Sequence, residues 1–484
     1  MRMEANARRL KTGIPDLDLV LGGGLEPGSL VILAGAPGTG KTILAQQICF
    51  ANATPEHKAL YYTTFAEPHS KLVRHLEPFD FFKPEALEKS VDFIHLGEMV
   101  AEAGKAGLEP VVTEVVQKCF ATRPAVVVID SAKALRDFVS EQELRTALYE
   151  LASRVSHTEA LLLLVGEYTP REIKGGVEFP MADGIVQLAY EPHEPVDRRW
   201  LRVVKLRGGD HLVGKHSFRI GQAGFEVFPR LETLAPRFSV NVDTNGRVTT
   251  GIPRLDELMQ GGMTAGQATV VLGPSGAGKT ILGLRFVAEG LEAGERCLYV
   301  AFQETGDQLV KKAASFGWDL AEAQKSGQLA IHFVPVGELD LDTIAAAVRR
   351  ELTKGSVRRV VVDSLAELVF AGREADRFPA YSRSLVGWIR AAGASVLITS
   401  ETTTLGPMTE PIGGLSFLFH NVILLRYLEI ASELRRAINI IKMRTSNHDK
   451  GVFEYVIDAH GLTIKDRLQG VTGVLGWSAL RTPE

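Results

Sequence analysis

Two glycine-rich segments of the chain have the residue types and spacing that bind phosphate. Residues 35–42 and 273–280 both fit G-x-x-x-x-G-K-[ST]. Each follows a hydrophobic run typical of a strand and precedes a helix-length stretch, which is the context that this motif requires. Converging backbone N–H groups and the helix dipole would bind phosphate there. We therefore expect these residues to bind a nucleoside triphosphate: Gly38, Thr39, Gly40, Lys41, Thr42, Gly276, Ala277, Gly278, Lys279 and Thr280.

An aspartate suited to metal binding follows each phosphate loop further along the chain. The runs VVVID and VVVD end at Asp130 and Asp363, and a serine comes next in both. A carboxylate at the end of a solvated strand is the alternative, but the match in both copies favours a role at Mg²⁺ or its water shell. The loop lysines would contact the β- and γ-phosphates. The predicted Mg²⁺ ligands are Thr42, Thr280, Asp130, Asp363 and Glu304.

Hydrolysis also needs a group that orients or deprotonates the attacking water. After the second predicted strand, the segments FAE and FQE end at Glu67 and Glu304. We predict that these glutamates are catalytic or linked to the metal; the alternative is that they are surface residues that cap the following helix. Glu167 and Glu401 end the next strand and are candidates for a supporting role.

The chain contains two tandem copies of one domain. Residues 9–44 and 247–282 align without a gap and share TGIP-x-LD and GKTIL. The match resumes downstream, where VVKLRGGDH at 203–211 corresponds to IIKMRTSNH at 440–448. A period this long indicates duplication of a whole globular domain rather than a solenoid. We predict a first domain of residues 1–238 and a second of 239–484.

The hydrophobic pattern predicts the α/β fold class in both copies. Runs such as SLVILAG, AVVVIDS and ALLLLVGE alternate with helix-length amphipathic stretches. Near-continuous Val, Ile and Leu runs suit strands covered on both faces, and five to seven residues are too few for buried helices. Each copy is therefore expected to be a P-loop NTPase domain with a mainly parallel sheet flanked by helices. Its ligand site would lie at the carboxyl ends of the strands.

Composition narrows the classes of function. The chain has 484 residues, 54 Lys and Arg against 58 Asp and Glu, and a net charge of −4, so nothing attracts the whole chain to nucleic acid. Its three cysteines are far apart and lack C-x-x-C spacing, which is typical of buried thiols in a reducing compartment. We found no signal-peptide pattern and no apolar run long enough to span a bilayer, and we predict a cytoplasmic protein with no membrane association.

The sequence resembles the KaiC family of circadian-clock ATPases in the RecA superfamily over nearly its whole length. The most specific similarities are the paired TGIP-x-LD openings, the two phosphate loops, KLRGGDH, and the segment from LLRYLEI through RAINIIKMRTSNHDKG. The resemblance implies two RecA-like domains, CI and CII, in a double-ring homohexamer. It also implies ATP and Mg²⁺ as cofactors, with ATP bound in the clefts between neighbouring subunits.

By that resemblance, a basic segment late in each domain would reach the nucleotide of the adjacent subunit, as an arginine finger does. The alternative is an edge strand that carries solvated Lys and Arg. The residues concerned are Lys205, Leu206, Arg207 and His211 in the first domain, and Arg436, Lys442, Met443, Arg444, Ser446 and His448 in the second.

The sequence also departs from the family. Members have two adjacent glutamates after the second strand, the first acting as the base, and here that position is Ala66 or Gln303. Gln303 cannot take a proton but can orient a nucleophile, so we expect slow turnover. The family's Ser-Thr autophosphorylation pair corresponds to Ser416 and Phe417, which leaves one acceptor hydroxyl. Ser416 is either a phosphorylated serine or an ordinary loop residue.

These features favour a slow hexameric ATPase, with serine autokinase and autophosphatase activity in the second domain, that serves as a timing or signalling switch. Its partners would be KaiB-like or signalling proteins. Two rivals stay open. A recombinase or helicase would share the fold, although the sequence shows no basic channel loops. An ATP-dependent scaffold with little turnover would fit the changes at Ala66 and Gln303.

Overall fold

The computed structural model describes most of the chain, which divides into two compact units, Met1–Leu234 and Ala235–Glu484. Our predicted boundary at 238/239 lies outside the described residues and stays a prediction. The described residues are 9–64, 69–97, 99–100, 107–192, 197–235, 246–335, 337, 339–371, 377–402, 416–430, 432–444, 446–469, 471–472 and 480–481.

The described part of the first unit contains a nine-stranded sheet in the order β3-β2-β4-β5-β1-β6-β7-β8-β9. Strands β3 through β6 in that order pair in parallel, and β6 to β9 pair antiparallel. The strands are β1 Leu30–Gly35, β2 Ala59–Thr63, β3 Val91–His95, β4 Val126–Asp130, β5 Leu161–Glu167, β6 Gly184–Glu191, β7 Arg198–Leu206, β8 His216–Gly221 and β9 Gly224–Phe228. The helices are α1 Pro15–Val20, α2 Lys41–Asn52, α3 His69–Leu76, α4 Glu109–Thr122, α5 Glu141–Ser156 and α6 Pro170–Gly175.

The second unit repeats this plan in its described residues, with a nine-stranded sheet in the order β14-β13-β15-β16-β12-β17-β18-β19-β20. Its strands are β10 Arg247–Val248, β11 Met263–Thr264, β12 Ala268–Gly273, β13 Arg296–Ala301, β14 Leu329–Phe333, β15 Val357–Asp363, β16 Ser395–Glu401, β17 Asn421–Ile430, β18 Glu433–Met443, β19 Phe453–Asp458, β20 Gly461–Arg467, β21 Val471–Thr472 and β22 Leu480–Arg481. Its helices are α7 Pro253–Leu258, α8 Lys279–Glu292, α9 Gly306–Ala314, α10 Ala321–Ser326, α11 Leu341–Thr353, α12 Leu365–Ala371 and α13 Phe378–Ala391.

The predicted fold class is confirmed: each unit has a mainly parallel sheet flanked by helices. All six residues of β1 are buried, as are all six of β12, because helices cover both faces of the sheet there. The pattern of hydrophobic runs missed the outer strands. For example, β3 has one fully buried residue, and β8 alternates between buried and more exposed positions. Such edge strands carry less hydrophobic signal than central ones.

Chain order places the functional edge of each sheet. The central strand β1 lies between β5 and β6. Strands β2 to β5 lie on one side of β1 and β6 to β9 lie on the other, so the strand order reverses at β1. In register, Gly35 pairs with Glu167 at the ends of β1 and β5, and Gly273 pairs with Glu401 in the second unit. Ligands of open α/β sheets bind at this switch point.

Two simpler expectations can be compared with the structure. Cys49, Cys119 and Cys297 are free thiols in the buried interior, as predicted. Among the residues that the structure describes, no helix has the length and apolar character needed to cross a bilayer.

Candidate nucleotide-binding sites

Each phosphate loop joins the central strand to the next helix through glycines with positive φ. The φ angles are 73° at Gly38 and 93° at Gly40, and 74° at Gly276 and 93° at Gly278. A Cβ at Gly278 would lie 2.9 Å from Ile457 Cδ1, whereas one at Gly38 would meet no atom within 4 Å. The first loop is thus open at its middle glycine, which leaves room for a phosphate against the backbone, while the second loop is packed at its last glycine.

The loop lysines fold back onto the loops that carry them. Lys41 Nζ donates a hydrogen bond to the carbonyl oxygen of Ala36 at 2.8 Å. Lys279 Nζ donates to the carbonyl oxygens of Gly273 at 2.9 Å and Pro274 at 2.8 Å. Both ammonium groups therefore lie where phosphate oxygens can replace the carbonyl partners.

Burial lowers the pKa of both lysines below the ordinary value of 10.5. The strand-end carboxylates Glu167 and Glu401 oppose this shift most strongly, at Lys41 and Lys279 respectively. A bound triphosphate supplies further negative charge and would raise both pKa values again. The charged form of each lysine therefore becomes more favourable when phosphate binds.

The first unit brings a hydroxyl and a carboxylate together beside the loop. Thr42 Oγ1 donates to Asp130 Oδ2 at 2.8 Å, and Tyr61 Oη donates to the same oxygen at 2.7 Å. A threonine hydroxyl next to a strand-end carboxylate fits Mg²⁺, which takes few protein ligands in nucleotide sites and completes its shell with phosphates and water. The predicted ligands Thr42 and Asp130 are thus neighbours.

The second unit repeats the arrangement. Thr280 Oγ1 donates to Asp363 Oδ2 at 2.7 Å, Tyr299 Oη donates to it at 2.9 Å, and Thr399 donates to the other carboxylate oxygen. The described residues contain no cluster of three or more His, Cys, Asp or Glu side chains suited to a metal.

A cavity of about 920 Å³ opens at the first loop. Its lining includes the lysine and threonine of the loop, Asp130 and Glu167, together with Arg199 from β7 of the same chain. Ligand pockets run from about 300 to 1,000 Å³. The cavity is therefore large enough to take a nucleoside triphosphate, and its lining includes both carboxylates and cations.

The basic segments lie at the ends of β7 and β18. Lys205 Nζ donates to the carbonyl oxygen of Pro180 at 3.0 Å, and Lys442 Nζ donates to that of Ser416 at 3.0 Å. Partial burial, followed by the neighbouring arginine, lowers the pKa of both lysines. The other predicted residues of these segments, in the strand ends and the turns after them, are Leu206, His211, Met443, Ser446 and His448.

The arginines of the two segments have different neighbours. Arg207 forms an ion pair with Asp183 at 3.3 Å, and its side chain is 61% exposed. In the second unit, Arg444 is also exposed and lies close enough to His420 to affect its charge. Burial first, and then Arg390, Arg444 and Lys442, lowers the pKa of His420 to about 4. The second segment therefore lacks a carboxylate at the position of Asp183.

An arginine near the start of each domain donates a hydrogen bond to the basic turn of that domain. Arg9 Nη2 donates to the carbonyl oxygen of Gly208 at 2.9 Å, and Arg247 Nη1 donates to Ser446 Oγ at 3.3 Å. These arginines occupy corresponding positions in the two copies. The turn that carries the basic residues is thus tied to the start of its own domain.

Arg436 does not lie with the other residues grouped with it. Its guanidinium lies 5.7 Å from the ring centre of Tyr427, on the same strand pair but well before the end of β18. A Cβ at Gly276 would come within 3.1 Å of the Tyr427 hydroxyl. The structure therefore places Arg436 near the phosphate loop of its own chain.

Both domains match the sequences of one known protein family. A sequence model of the family described as "ATPase: KaiC" matches residues 10–232 and again 248–469. The chain belongs to the KaiC ATPase family. The resemblance seen in the sequence is thereby confirmed, and both copies are KaiC-type domains.

Several curated KaiC proteins align with almost all of the chain. The "Circadian clock oscillator protein KaiC" of Parathermosynechococcus lividus is 28% identical over 97% of this chain and 88% of its own length. That of Thermostichus vulcanus is 28% identical over 99% and 93%. The "Circadian clock protein KaiC3" of Synechocystis sp. is 28% identical over 98% and 95%.

Gln303 and Glu304, which follow Phe302 after β13, have separate surroundings in this KaiC-family chain. Glu304 Oε1 lies 2.5 Å from Lys312 Nζ on α9, while Thr305 caps that helix. Gln303 is exposed and donates from Nε2 to Glu367 Oε1 at 2.6 Å. Glu304 is thus held by a cation of its own chain, and its role as base or metal ligand stays a prediction. Glu67 and Ala66 lie outside the described residues.

Glu367 is a site residue that the sequence analysis missed. It lies on α12, four residues after Asp363, and its Oε2 accepts a 2.5 Å hydrogen bond from Ser364 Oγ. The corresponding position in the first copy, four residues after Asp130, is Ala134. Comparing the two segments DSLAE and DSAKA would have shown this difference, but it would not have shown the contact with Gln303.

Ser416 and Phe417 lie at the surface just before β17. Phe417 is 40% exposed, and the guanidinium of Arg383 lies 5.0 Å from its ring centre. Because Lys442 binds the carbonyl oxygen of Ser416, this serine belongs to the same edge of the domain as the basic segment. Ser416 is exposed, and its neighbour is an aromatic side chain with no hydroxyl.

Proposed function

We propose that this chain is a slowly hydrolysing ATPase that assembles as a homohexamer with ATP bound between neighbouring subunits. The observation that carries the proposal is the matched threonine–aspartate pair beside the loop lysine, at 2.8 Å in one domain and 2.7 Å in the other. Both domains of this KaiC-family chain thus keep the groups that bind Mg·ATP. The relatives named as clock proteins support a role as a timing or signalling switch.

Binding between subunits is supported by the placement of the basic segments. The β6 strand separates β7 from the central strand, so Lys205 and Arg207 stand at an end of the antiparallel part of the sheet. Their exposed charges would stabilise phosphate oxygens of a neighbour's nucleotide during phosphoryl transfer. Lys442 and Arg444 would do the same in the second ring.

Within one site, each group of this chain has a defined task. The loop backbone and its lysine bind the β- and γ-phosphates, and the threonine and aspartate hold Mg²⁺. The metal supplies charge neutralisation on the phosphates. Water then forms a bond to the γ-phosphorus as the bond to the β–γ bridging oxygen breaks and ADP leaves. The chain's part is positioning and electrostatic stabilisation.

A second activity, serine autophosphorylation, is supported by the position of Ser416. Its hydroxyl is exposed on the edge that also carries Lys442, which is the edge proposed to face the neighbouring nucleotide. Ser416 Oγ would take the place of water as the nucleophile, and the reverse reaction would remove the phosphate. Phosphate at this edge is expected to change how a KaiB-like or other signalling protein binds.

One experiment separates these functions. Purified chain is incubated with Mg·ATP, and ADP release, intact mass and particle mass by light scattering are measured together. We expect a hexamer, slow ADP release and a mass increase of one phosphate that Ser416→Ala removes. Assembly without ADP release would instead favour the scaffold, and ADP release stimulated by single-stranded DNA in a salt-sensitive way would favour the nucleic-acid motor. The lysine variants Lys41→Ala and Lys279→Ala serve as controls for nucleotide binding.

A further inference from the structure

The side chains of Gln303 and Glu367 form a polar pair beside the second phosphate loop. Gln303 Nε2 lies 2.6 Å from Glu367 Oε1. The other oxygen of Glu367 accepts a 2.5 Å hydrogen bond from Ser364, which directly follows Asp363. The pair is therefore connected through Ser364 to the strand end that carries the metal-site carboxylate.

We infer that Glu367 is a positioning residue that fixes the amide of Gln303, so that the amide oxygen orients the nucleophile of the second-domain reaction. This inference rests on the proposed ATPase function. Glu367 lies outside both sequence motifs of the site. The first domain has no carboxylate at the corresponding position, so this means of positioning is present only in the second domain.

The chemistry of the pair determines which end of the amide faces which way. An ionised carboxylate can only accept hydrogen bonds, whereas the Gln303 amide has a donor end and an acceptor end. Nε2 must therefore face Glu367, and Oε1 points away from it. Gln303 is exposed, so its side chain would rotate freely without this charge-assisted bond. Ser364 is nearly buried and holds Glu367 in turn.

Besides Glu401 at the end of β16, the carboxylates near the loop are already engaged. Glu304 is paired with Lys312, and Asp363 accepts hydrogen bonds from the hydroxyls beside it. The free acceptor that the pair presents is the oxygen of Gln303. A water bound there donates one O–H to Oε1 while its oxygen attacks the γ-phosphorus. The amide does not take the proton, which leaves with the inorganic phosphate product.

The first domain provides the contrast. Ala134 occupies the position of Glu367, and the adjacent Lys133 is paired with Glu172 at 2.8 Å. A methyl group cannot fix a polar side chain. The proposed device is therefore specific to the second site, and its loss should slow turnover there without affecting the first site.

The contact can be tested without any activity measurement. Thermal unfolding of the full chain is compared for Gln303→Glu, Glu367→Gln and the two combined. At pH 8 the first change sets two carboxylates against each other and should lower the unfolding temperature, and at pH 5 the effect should shrink because one of them is protonated. The combined change restores one amide against one carboxylate and should recover most of the loss. A combined loss equal to the sum of the single losses would overturn the contact.

The role is tested in a Glu67→Gln background, which replaces the predicted first-domain base but keeps the loop lysine on which assembly is expected to depend. Glu367→Ala and Gln303→Ala should each lower kcat by about tenfold with little change in KM, and the double variant should be no slower than Gln303→Ala alone. The swapped pair, Gln303→Glu with Glu367→Gln, should recover the rate. Glu322→Ala, at an exposed glutamate of α10, is the control for loss of charge.

The outcomes of the two tests are distinct. Additive effects of the two alanine changes, or no effect of Glu367→Ala, would overturn the positioning role while leaving the ATPase intact. A parent whose ADP release is unchanged by Lys279→Ala would instead overturn the proposed function of the second domain, and the positioning role with it. The unfolding measurements would still decide whether the contact exists.

Discussion

Thr42 donates its hydroxyl proton to Asp130 across a 2.8 Å hydrogen bond, although the two residues are 88 positions apart in the sequence. The bond joins the first turn of α2 to the end of β4. A Mg²⁺ ion that binds both the Thr42 hydroxyl and the Asp130 carboxylate would find these two oxygens already close together. Preorganisation of this kind lowers the cost of binding because the ligands need no further ordering.

Removing the Thr42 hydroxyl should weaken binding of Mg·ATP more than binding of ATP alone. Thr42→Val keeps the shape of the side chain and removes its oxygen, and we expect a loss of about tenfold in affinity, the size of one lost hydrogen bond to a charged group. Isothermal titration of the chain with ATP, with Mg²⁺ and with EDTA, measures the difference in a Lys279→Ala background. Thr42→Ser is the matched control and should bind as the parent does. Equal losses with and without Mg²⁺ would count against a metal site at Thr42.

Nucleotide should hold the subunits together, because each proposed site takes groups from two chains. Lys41→Ala should shift the chain from hexamers toward smaller species by light scattering, since the loop loses its phosphate-binding cation. Lys58→Ala is the control. This lysine forms an ion pair with Asp92 on the edge strand β3, away from the phosphate loop. A hexamer that persists in nucleotide-free buffer with both Lys41 and Lys279 replaced would rule out the shared site.

Mixed subunits should reveal whether Arg207 acts on a neighbour. Arg207→Ala damages the group offered to the next chain, whereas Lys41→Ala damages the loop of its own chain. In a mixture, some interfaces combine an intact loop with an intact arginine, so the first-domain ATPase rate should exceed the average of the two variants. The measurement is total ADP release at several mixing ratios, since both variants have an unchanged second domain. A mixture that never exceeds that average would show that Arg207 does not act across an interface.

Acid should destabilise the chain partly through His420. Its pKa is lowered to about 4 in the folded state from an ordinary value of 6.5, chiefly by burial. The unfolded chain therefore binds more protons between these values, so the free energy of unfolding is fully retained above about pH 6.5 and falls as the pH drops toward 4. After allowance for partial exposure, the loss is roughly 1–2 kcal/mol.

Replacing His420 with asparagine should flatten that part of the pH profile. Denaturant unfolding at several pH values between 4 and 7 measures the slope. Asparagine keeps a side-chain oxygen in place of the ring nitrogen that lies 3.4 Å from the Ala268 N–H. His460→Asn, in the exposed turn between β19 and β20, is the control. An unchanged slope in His420→Asn would mean that other groups account for the acid sensitivity.

The sequence was sufficient for the parts of the molecule that local chemistry determines. The loops around Lys41 and Lys279 were predictable because their glycines need positive φ and their flanking runs need burial on both faces. The pairing of threonine with the strand-end aspartate followed from the topology of a parallel sheet. The duplication strengthened each of these predictions, since accidental patterns do not recur at matching positions.

Contacts between distant side chains could not be predicted in the same way. Nothing in the segment FQE shows that Gln303 meets Glu367 or that Glu304 meets Lys312, because both depend on how α9 and α12 approach the end of β13. The grouping of Arg436 with Lys442 rested on the resemblance to the KaiC family. Along a strand, six residues span about 20 Å, so Arg436 and Lys442 lie in different surroundings on β18.

The carboxylate of Asp183 gives the two proposed interfaces different chemistry. Because Arg207 already has an anionic partner in its own chain, binding a neighbour's phosphate is an exchange of one anion for another. Arg444 lies beside His420, which is neutral at physiological pH, so the same step there adds an anion without releasing one. The exchange at Arg207 changes the number of solvated charges less than the addition at Arg444 does. Added salt should therefore weaken the second ring more than the first.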